Sequence, residues 1–378
     1  MKHTRDMHIV HIITKLEMGG AQKVCLALRE GLHKQGMWTC LISGSQGDLC
    51  RQAQQLANTE LIPDMTREVG RIRQELRCFF TLVSKLRALK KQYPDLIVHT
   101  HSTKAGLMGR WAAFFAGVKK RVHTIHGFGF HNHQNPIIHA GIYLLELCTS
   151  FITTHYICVS IADAKRGIRI FPRFSKKHSI IRAAVDYNRF IQVKKISTVP
   201  VNQNLFIFGT NGVFRKGKNH IELFEAFEEV HKKHPHTRLE LLGDGILRPL
   251  YEQWIREHNL EHAIRLHGWK YDVAPIMRTW NAFVFTSLWE GMPCSLVEAR
   301  ILSLPIITYD TGGVRDVVIQ GKNGLIYKQH DWHGLANGMS TLIENKELYA
   351  KYASFNDSIR DFTIAHMVKH HIQLYQSL

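Results

Sequence analysis

The sequence predicts an α/β protein of two doubly wound, parallel-sheet domains in tandem, and three observations carry that prediction. Apolar runs of strand length alternate with amphipathic stretches of helix length along most of the 378 residues. The alternation lapses over residues 191–204 (IQVKKISTVPVNQN), where periodicity is lost and Pro200 intervenes, and then resumes. Charge divides at the same place: residues 1–190 hold 28 Lys and Arg against 12 Asp and Glu, a net of +16, and the remaining 188 hold 21 against 19. Domains over 1–190 and 205–357, joined by a linker at 191–204, are therefore expected.

The elements follow in order. HIVHIIT (8–14) has the composition of a buried strand and leads through a turn at Gly19 and Gly20 into a helical pattern that stops at Gly36. WTCLIS is the next strand. A helix is expected over 71–91, with apolar residues at 72, 76, 79, 83 and 86 forming its inward face. Strand LIVHT, a helix from Lys104, strand RVHTIH, a helical stretch from Ile137, and strands YICVS and HSIIR complete the first half. The second half begins with strand LFIFG, loop TNGVFRKGKN and helix HIELFEAFEEVHKKH. It continues with strand RLELLG, a turn at Asp244-Gly245, helix ILRPLYEQWIREH and strand IRLHG. A short helix near 271–279, strand AFVFTS, strand PIITY and the TGGVRDVV turn follow. The closing DFTIAHMVKHHIQLYQSL is helical, with Ile364, Met367, Ile372 and Tyr375 as packing residues. Ligands of such sheets bind at the carboxyl ends of the strands and in the crevice between domains.

Bulk properties narrow the function classes. The seven Cys form no C-x-x-C pair and mostly stand among apolar neighbours, the pattern of buried thiols in a reducing compartment. The N-terminal segment has an apolar run of only about six residues, broken by His, and lacks a small-residue cleavage site, so a secretory signal is not expected there. No stretch approaches the roughly 18 apolar residues of a membrane span, and a soluble or peripheral protein is expected. The basic half calls for a polyanionic partner: nucleic acid, anionic lipid headgroups or phosphorylated substrates.

The segment WEGMPCSLVEA (289–299) sets Glu290 and Glu298 on either side of Pro293, ahead of an apolar run. Ser295 and Glu298 have capping-box spacing, in which Ser295 would cap a helix and Glu298 would reach back to it. That pattern accounts for Glu298 but leaves Glu290 unexplained. A helix start after a parallel strand also directs free N–H groups outward, which suits an anion. Carboxylates beside it would accept hydrogen bonds from sugar hydroxyls. Both uses fit the residues.

FTSLWEGMPCSLVEARILSLPIITYDTGGVRDVV resembles the signature of family 4 glycosyltransferases of the GT-B fold. Glu290, Gly291, Pro293, Glu298 and Ala299 match its E-G-x-P-x-x-x-x-E-A pattern, followed by Pro305, Gly312 and Gly313. Leu304 stands where Gly is usual, and Asp316 where Glu often follows the Gly pair. The resemblance spans nearly the whole chain. MGGAQK is similar to the G-G-A-E loop, with Gln22 for Glu. HTHSTKAGLMGRWAAFFAGV and HTIHGFGFH resemble a bacterial subset that builds capsules, O-antigens and lipid-linked glycans. IIRAAVDYNRF resembles the stretch ending the first domain, with Ala183-Ala184 for Asn-Gly, and LLGDGILR the G-D-G turn at Gly243.

The resemblance implies the GT-B fold, two Rossmann-like domains facing a central cleft, with a C-terminal helix over 358–378 crossing back onto the first. It implies a retaining, metal-independent transfer of a hexose or N-acetylhexosamine from a nucleotide-diphosphate sugar, UDP-linked in that subset, to a lipid-linked or growing glycan. Glu298 then corresponds to the acid on the ribose and Glu290 to the acid on the donor sugar. Gly291, Met292, Pro293, Cys294, Ser295, Leu296 and Val297 turn their backbone to the sugar and diphosphate. Lys218 corresponds to the lysine on the diphosphate; the arginine expected five residues earlier is Val213, and Arg215 is the candidate replacement. His126 corresponds to the first-domain histidine near the transferred sugar, and Gly19 and Gly20 to the loop at the leaving phosphate. No D-x-D metal motif occurs in the chain.

Residues 71–91 carry seven Lys and Arg against one Glu, and AKRGIRIFPRFSKKH (164–178) interleaves cations with Phe171 and Phe174. A solvated outer face explains such a helix; an anionic bilayer under a peripheral enzyme explains it too. With a polyprenyl-diphosphate-linked acceptor, the expected location is the cytoplasmic face of the inner membrane. Three other functions fit part of the pattern. A GT-B-fold sugar-nucleotide epimerase shares the architecture. A metallohydrolase would use His99-x-His101 and His131-x-His133, though carboxylates near them are sparse. Nucleic-acid binding has the charge but no recognition motif, so no nucleic acid and no metal are expected.

Overall fold

The computed structural model describes residues 7–378 apart from 67, 69, 132, 197–204 and 356. It divides into two compact units, Met1–Ala184 together with Asp361–Leu378, and Val185–Arg360.

The first unit runs β1 (His8–Ile13), α1 (Gly20–Lys34), β2 (Trp38–Ser43), α2 (Cys50–Gln54), β3 (Thr59–Leu61), α3 (Ile72–Gln92), β4 (Ile97–His101), α4 (Thr103–Phe115) and β5 (Lys120–Ile125). It continues with α5 (Pro136–Ser150), β6 (His155–Cys158), α6 (Ile161–Ile170) and β7 (His178–Ile180). Seven parallel strands lie in the order β3-β2-β1-β4-β5-β6-β7. Strands covered on both faces are apolar along their length, and Ile9, Val10, Ile12 and Ile13 of β1 are fully buried. Polar exceptions stand out against that background: His11, His99 and His101 are buried in the same sheet.

Helix starts follow local chemistry. Asn135 accepts from Ile137 N at 2.9 Å with Pro136 in the first turn of α5. Ser160, expected as the end of a strand, instead caps α6, its hydroxyl accepting from Asp163 N at 3.1 Å. Helix α3 buries the later part of its expected face and not the first. Val83 and Leu86 are buried with Cys78 and Leu82, and Phe79 packs against them, whereas Ile72 is 73 % and Leu76 51 % exposed. The buried stripe shares its core with Val10, Ile42 and Val98 of the sheet, and the first turn of the helix supplies none of it.

The second unit runs α7 (Tyr187–Ile196), β8 (Phe206–Asn211), α8 (His220–Lys233), β9 (Thr237–Leu242), α9 (Arg248–Glu257), β10 (Ile264–Leu266), α10 (Ala274–Met277) and β11 (Ala282–Phe285). It ends with α11 (Cys294–Ile301), β12 (Ile306–Tyr309), α12 (Val314–Val317), β13 (Gly324–Tyr327), α13 (Trp332–Glu344) and α14 (Lys346–Ala353). Its six parallel strands lie in the order β10-β9-β8-β11-β12-β13. Phe208, Leu239, Val284 and Ile307 from the sheet pack with Phe224 and Phe227 of α8 and Leu335 and Met339 of α13. In both sheets the strand order reverses beside the first strand, and a doubly wound sheet opens its binding crevice at that point.

Two expectations on connections need correction. Residues 191–196 of the expected linker are helical, the end of α7, because the helix that starts at Tyr187 continues through the basic segment; residues 197–204 lie outside the described part. The final α15 (Ile364–Ser377) starts later than 358: Thr363 is its cap, and Arg360–Phe362 forms a separate 3₁₀ turn. Helix α15 belongs to the first unit, burying Met367, Val368, His371, Leu374 and Tyr375, while Ile364 and Ile372 are only partly covered.

Candidate functional site

In the second unit two loops leave the carboxyl ends of β8 and β11 at the switch point and run side by side. Leu288 N donates to Gly217 O at 2.9 Å, and Thr286 Oγ1 donates to Lys218 O at 3.0 Å. This zippering brings Lys218 Nζ to 2.5 Å from Glu290 Oε1, with the two side chains 13 % and 14 % exposed. The ammonium also stands 5.0 Å from the centre of the Phe285 ring. One turn into α11, Glu298 Oε2 accepts from Asn211 Nδ2 at 3.1 Å. Two carboxylates, a cation and an amide thus gather at the ends of adjacent strands.

Glycine makes the loops fit. Gly312 has φ +49°, and a Cβ there would fall 2.1 Å from Glu290 O; its neighbour Gly313 donates to Gly291 O at 2.6 Å. The backbone of Glu290 and Gly291 is therefore held by the turn after β12. Gly243, after β9, has φ +134°, and its Cβ would meet Gly212 O at 2.0 Å. Gly243 thus supports the β8 loop from beneath, a positioning role reinforced by Phe214 N donating to Asp244 O at 2.8 Å.

The capping-box pattern does not form. Helix α11 begins at Cys294 with Pro293 at the cap, so Ser295 and Glu298 both lie inside the helix and Glu298 turns to Asn211 instead. Pro293 brings no N–H, and the Leu296 amide is already given to Pro293 O at 3.0 Å. Leu296 and Val297 send their side chains into the core, and Met292 is buried as well. Cys294 and Ser295 are the partly exposed residues at the helix start. Arg215 lies in the same loop, its carbonyl accepting from Lys218 N at 2.9 Å, while its Nε is buried without a partner.

In the first unit, Gly19 caps α1 in an extended conformation and Gly20 opens the helix with no side chain at the carboxyl end of β1. His126 directly follows β5, partly buried. Its Nε2 lies 3.1 Å from His101 Nδ1, and His101 Nε2 lies 3.3 Å from His11 Nδ1. His99 belongs to a separate branch, Nδ1 2.6 Å from Tyr375 Oη and Nε2 2.7 Å from Thr124 Oγ1. Burial pushes His126 and His371 down to about 4 and His11 to about 3, and holds His99 and His101 well below the usual histidine range. His11, His99 and His101 could bring ring nitrogens within 4.8 Å of one another, the geometry a metallohydrolase would need. Both nitrogens of His99 and of His101 are, however, engaged by hydroxyls or other imidazoles. The buried charge acting on His11 is the cation Arg29, not a carboxylate. The cluster is a hydrogen-bonded imidazole chain. His131 and His133 lie in the loop before α5, ring centres 6.1 Å apart.

Sequence reasoning passed over Asn211 and the His11–His101–His126 chain. Asn211 had a usable signal, a polar residue closing an apolar strand at the switch point; the histidine chain needs the register that sets His11 opposite His99.

Comparison with known proteins agrees with this architecture. Residues 18–189 match the family described as Glycosyltransferase Family 4, and residues 192–357 the family described as Glycosyl transferases group 1. Over 357 residues the chain is 29 % identical to the UDP-Gal:alpha-D-GlcNAc-diphosphoundecaprenol alpha-1,3-galactosyltransferase of Escherichia coli, covering 92 % of this chain and 91 % of that protein. It is 24 % identical over 366 residues to CapM, a capsular polysaccharide biosynthesis glycosyltransferase of Staphylococcus aureus, covering 92 % and 90 %. In fold it matches Anabaena HepE in complex with UDP and glucose, with a TM-score of 0.82 over 98 % of this chain and 100 % of that one, at 19 % identity.

Proposed function

The chain belongs to the glycosyltransferases of family 4 and group 1, with the GT-B fold, and from that premise we propose that it transfers a hexose or N-acetylhexosamine from a UDP-sugar to a glycan carried on a polyprenyl diphosphate, with retention at the anomeric carbon. The Lys218–Glu290 pair beside Glu298 and Asn211 is the observation that carries this reading. The family is one of transferases, which sets the epimerase aside.

In this reading Glu298 and Asn211 hold the ribose hydroxyls and Lys218 takes the diphosphate. Moving Lys218 onto phosphate frees Glu290, whose ionised oxygens then accept from hydroxyls of the donor sugar. Breaking the anomeric bond places charge on the leaving diphosphate. Lys218, Arg215 and the outward amides at the start of α11 offset that charge where it develops, a role that asks for no divalent ion. His126, Gly19 and Gly20 serve the sugar and the leaving phosphate from the first unit. Glu290 holds the sugar and is not a nucleophile, so no covalent glycosyl-enzyme is invoked.

The same reading seats the first unit on an anionic membrane, at the cytoplasmic face, where a lipid-linked acceptor is found. Among the described residues no helix is long and apolar enough to cross a membrane. Support for peripheral attachment comes from α5, which exposes Ile137, Ile138, Leu144 and Leu145, while its one charged residue, Glu146, turns inward to Arg110 at 2.8 Å. Helix α3 adds Ile72, Leu76 and Phe80, exposed among Arg71, Arg73 and Arg77. Apolar anchors rimmed by cations suit an interface of this kind.

The direct test incubates the purified protein with a panel of nucleotide sugars and synthetic prenyl-diphosphate-linked GlcNAc, with and without chelator, and determines the product's anomeric configuration by NMR. Transfer from a UDP-sugar with retention, unaffected by chelator, is expected. An inverted product, or donor isomerised without transfer, would overturn the proposal.

A further inference from the structure

The chain His126–His101–His11 ends in an asymmetry. At neutral pH all three rings are uncharged, so each carries one N–H, and a proton choice at one ring fixes the other two. One arrangement has His11 Nδ1–H donating to His101 Nε2 and His101 Nδ1–H donating to His126 Nε2. His126 then bears its proton on Nδ1, and His11 is left with a bare Nε2. The opposite arrangement has His126 Nε2–H donating to His101 and His101 Nε2–H donating to His11. It puts an N–H on His11 Nε2 and leaves His126 Nδ1 a basic lone pair.

The two arrangements differ at His11 Nε2, which is buried and has no hydrogen-bond partner. An orphaned buried N–H is rarer and costlier than an under-used acceptor. His371 is the neighbour that could have taken such a proton. Its Nδ1 is spent on Met367 O at 2.8 Å, and its Nε2 is also buried and unpartnered, so no bond joins the two nitrogens. Arg29, whose charge acts on His11, keeps that ring from taking a second proton, so the tautomer choice stays binary. Among the described residues no hydrogen bond engages His126 Nδ1, which leaves that atom for a ligand at the carboxyl edge of the sheet.

We infer that His101 and His11 are positioning residues that lock His126 in the Nδ1–H tautomer, so that it presents a neutral hydrogen-bond donor, and not a base, to an oxygen of the bound sugar or leaving group. The inference rests on placing His126 in the transferase site, but the tautomer itself belongs to the ligand-free protein. His126 thereby stabilises an oxygen without removing a proton from it. The acceptor hydroxyl's proton goes to another oxygen, in keeping with retention in which the leaving phosphate receives it.

The test is ¹⁵N NMR of histidine-labelled full-length protein, with His126 assigned by its loss in His126→Gln. Protonation of His126 on Nδ1 in the unliganded wild type is the expected result. His101→Phe should let both tautomers appear and lower kcat on the order of tenfold with donor KM nearly unchanged. His101→Asn keeps an N–H near the Nδ1 position and should restore the single tautomer and most of kcat. His11→Asn, a second and milder variant, should likewise preserve both. Protonation of His126 on Nε2 in the wild type, or an unmoved tautomer in a folded His101→Phe, overturns the inference. A protein with the Nδ1–H tautomer but no transfer to any acceptor would leave the relay standing and remove the transferase reading instead.

Discussion

Lys218 Nζ lies 2.5 Å from Glu290 Oε1 although the residues are 72 positions apart and follow different strands. Each neutralises the other, so the unliganded pocket is not a naked cation waiting for phosphate. Binding must exchange one partner for another, and the two residues should then fail in different ways. Glu290→Gln, which keeps size and loses charge, should leave UDP affinity within about threefold and lower kcat about 10²-fold or more. Lys218→Ala removes the phosphate contact and strands the carboxylate; UDP affinity should fall at least about tenfold as well as kcat. Titration calorimetry with UDP beside steady-state rates separates the cases. Equal losses of UDP affinity in both variants would contradict the exchange.

Glu298 and Asn211 form the second polar pair, 3.1 Å apart. If they hold the ribose, Glu298→Gln should weaken UDP by roughly 1.5–3 kcal/mol, the range for hydrogen bonds to a charged group. Asn211→Ala alone should cost less, and the double variant less than the sum, because each residue orients the other. Binding of UDP against 2′-deoxy-UDP reports this directly, since the preference for the ribose hydroxyl should vanish with Glu298. An unchanged preference would return Glu298 to a structural part in α11.

How far the site could be seen in advance depended on whether its residues are joined by local pattern or by register. Glu290, Pro293 and Glu298 are close in sequence, and the G-G pair sits where the close approach of Gly312 to Glu290 O forbids a side chain, so the whole loop was visible as a motif. The parallel alternation was equally visible because buried strands such as β1 are apolar throughout. Ser295 misled because capping-box spacing is satisfied by sequence alone, whereas the cap falls where Pro293 fixes the turn. The start of α3 misled for a related reason: Ile72 and Leu76 fit the same helical period as the buried Val83 and Leu86, yet both are exposed, and period alone does not say where along a helix its cover begins. Tyr375 reaching His99 across 276 positions is written in no local pattern.

Acid should unfold the protein early. His11 is held at about 3, and His126 and His371 at about 4, by burial first, against 6.5 for the free side chain. Between those values the unfolded chain binds more protons than the folded one, so stability rises with pH across the window and is lost as pH falls from about 6.5. Each such histidine contributes up to about 1.4 kcal/mol per pH unit. His220 in the second unit is likewise lowered to about 3, by burial and then by the charge of Lys218. Thermal melts should be level above pH 7 and move down steadily below 6.5; an unchanged melting temperature at pH 4.5 would show that these rings are not buried neutral.

Attachment to membranes should depend on apolar anchors and charge together. Helix α5 offers Ile137 at 82 % exposure and Leu144 at 58 %, and no outward charge. Cations on α3 supply attraction at about 1 kcal/mol each near an anionic surface, a contribution that salt screens. The protein should therefore co-sediment with vesicles containing phosphatidylglycerol and not with pure phosphatidylcholine, and 0.5 M salt should weaken binding without abolishing it. Ile137→Glu with Leu144→Glu should remove the salt-resistant part while leaving transfer to a short-chain, water-soluble acceptor unchanged, because both residues lie outside the candidate site. Arg73→Glu with Arg77→Glu should remove the salt-sensitive part. Vesicle binding that ignores all four substitutions would mean that the basic outer face of α3 and the apolar face of α5 meet only water.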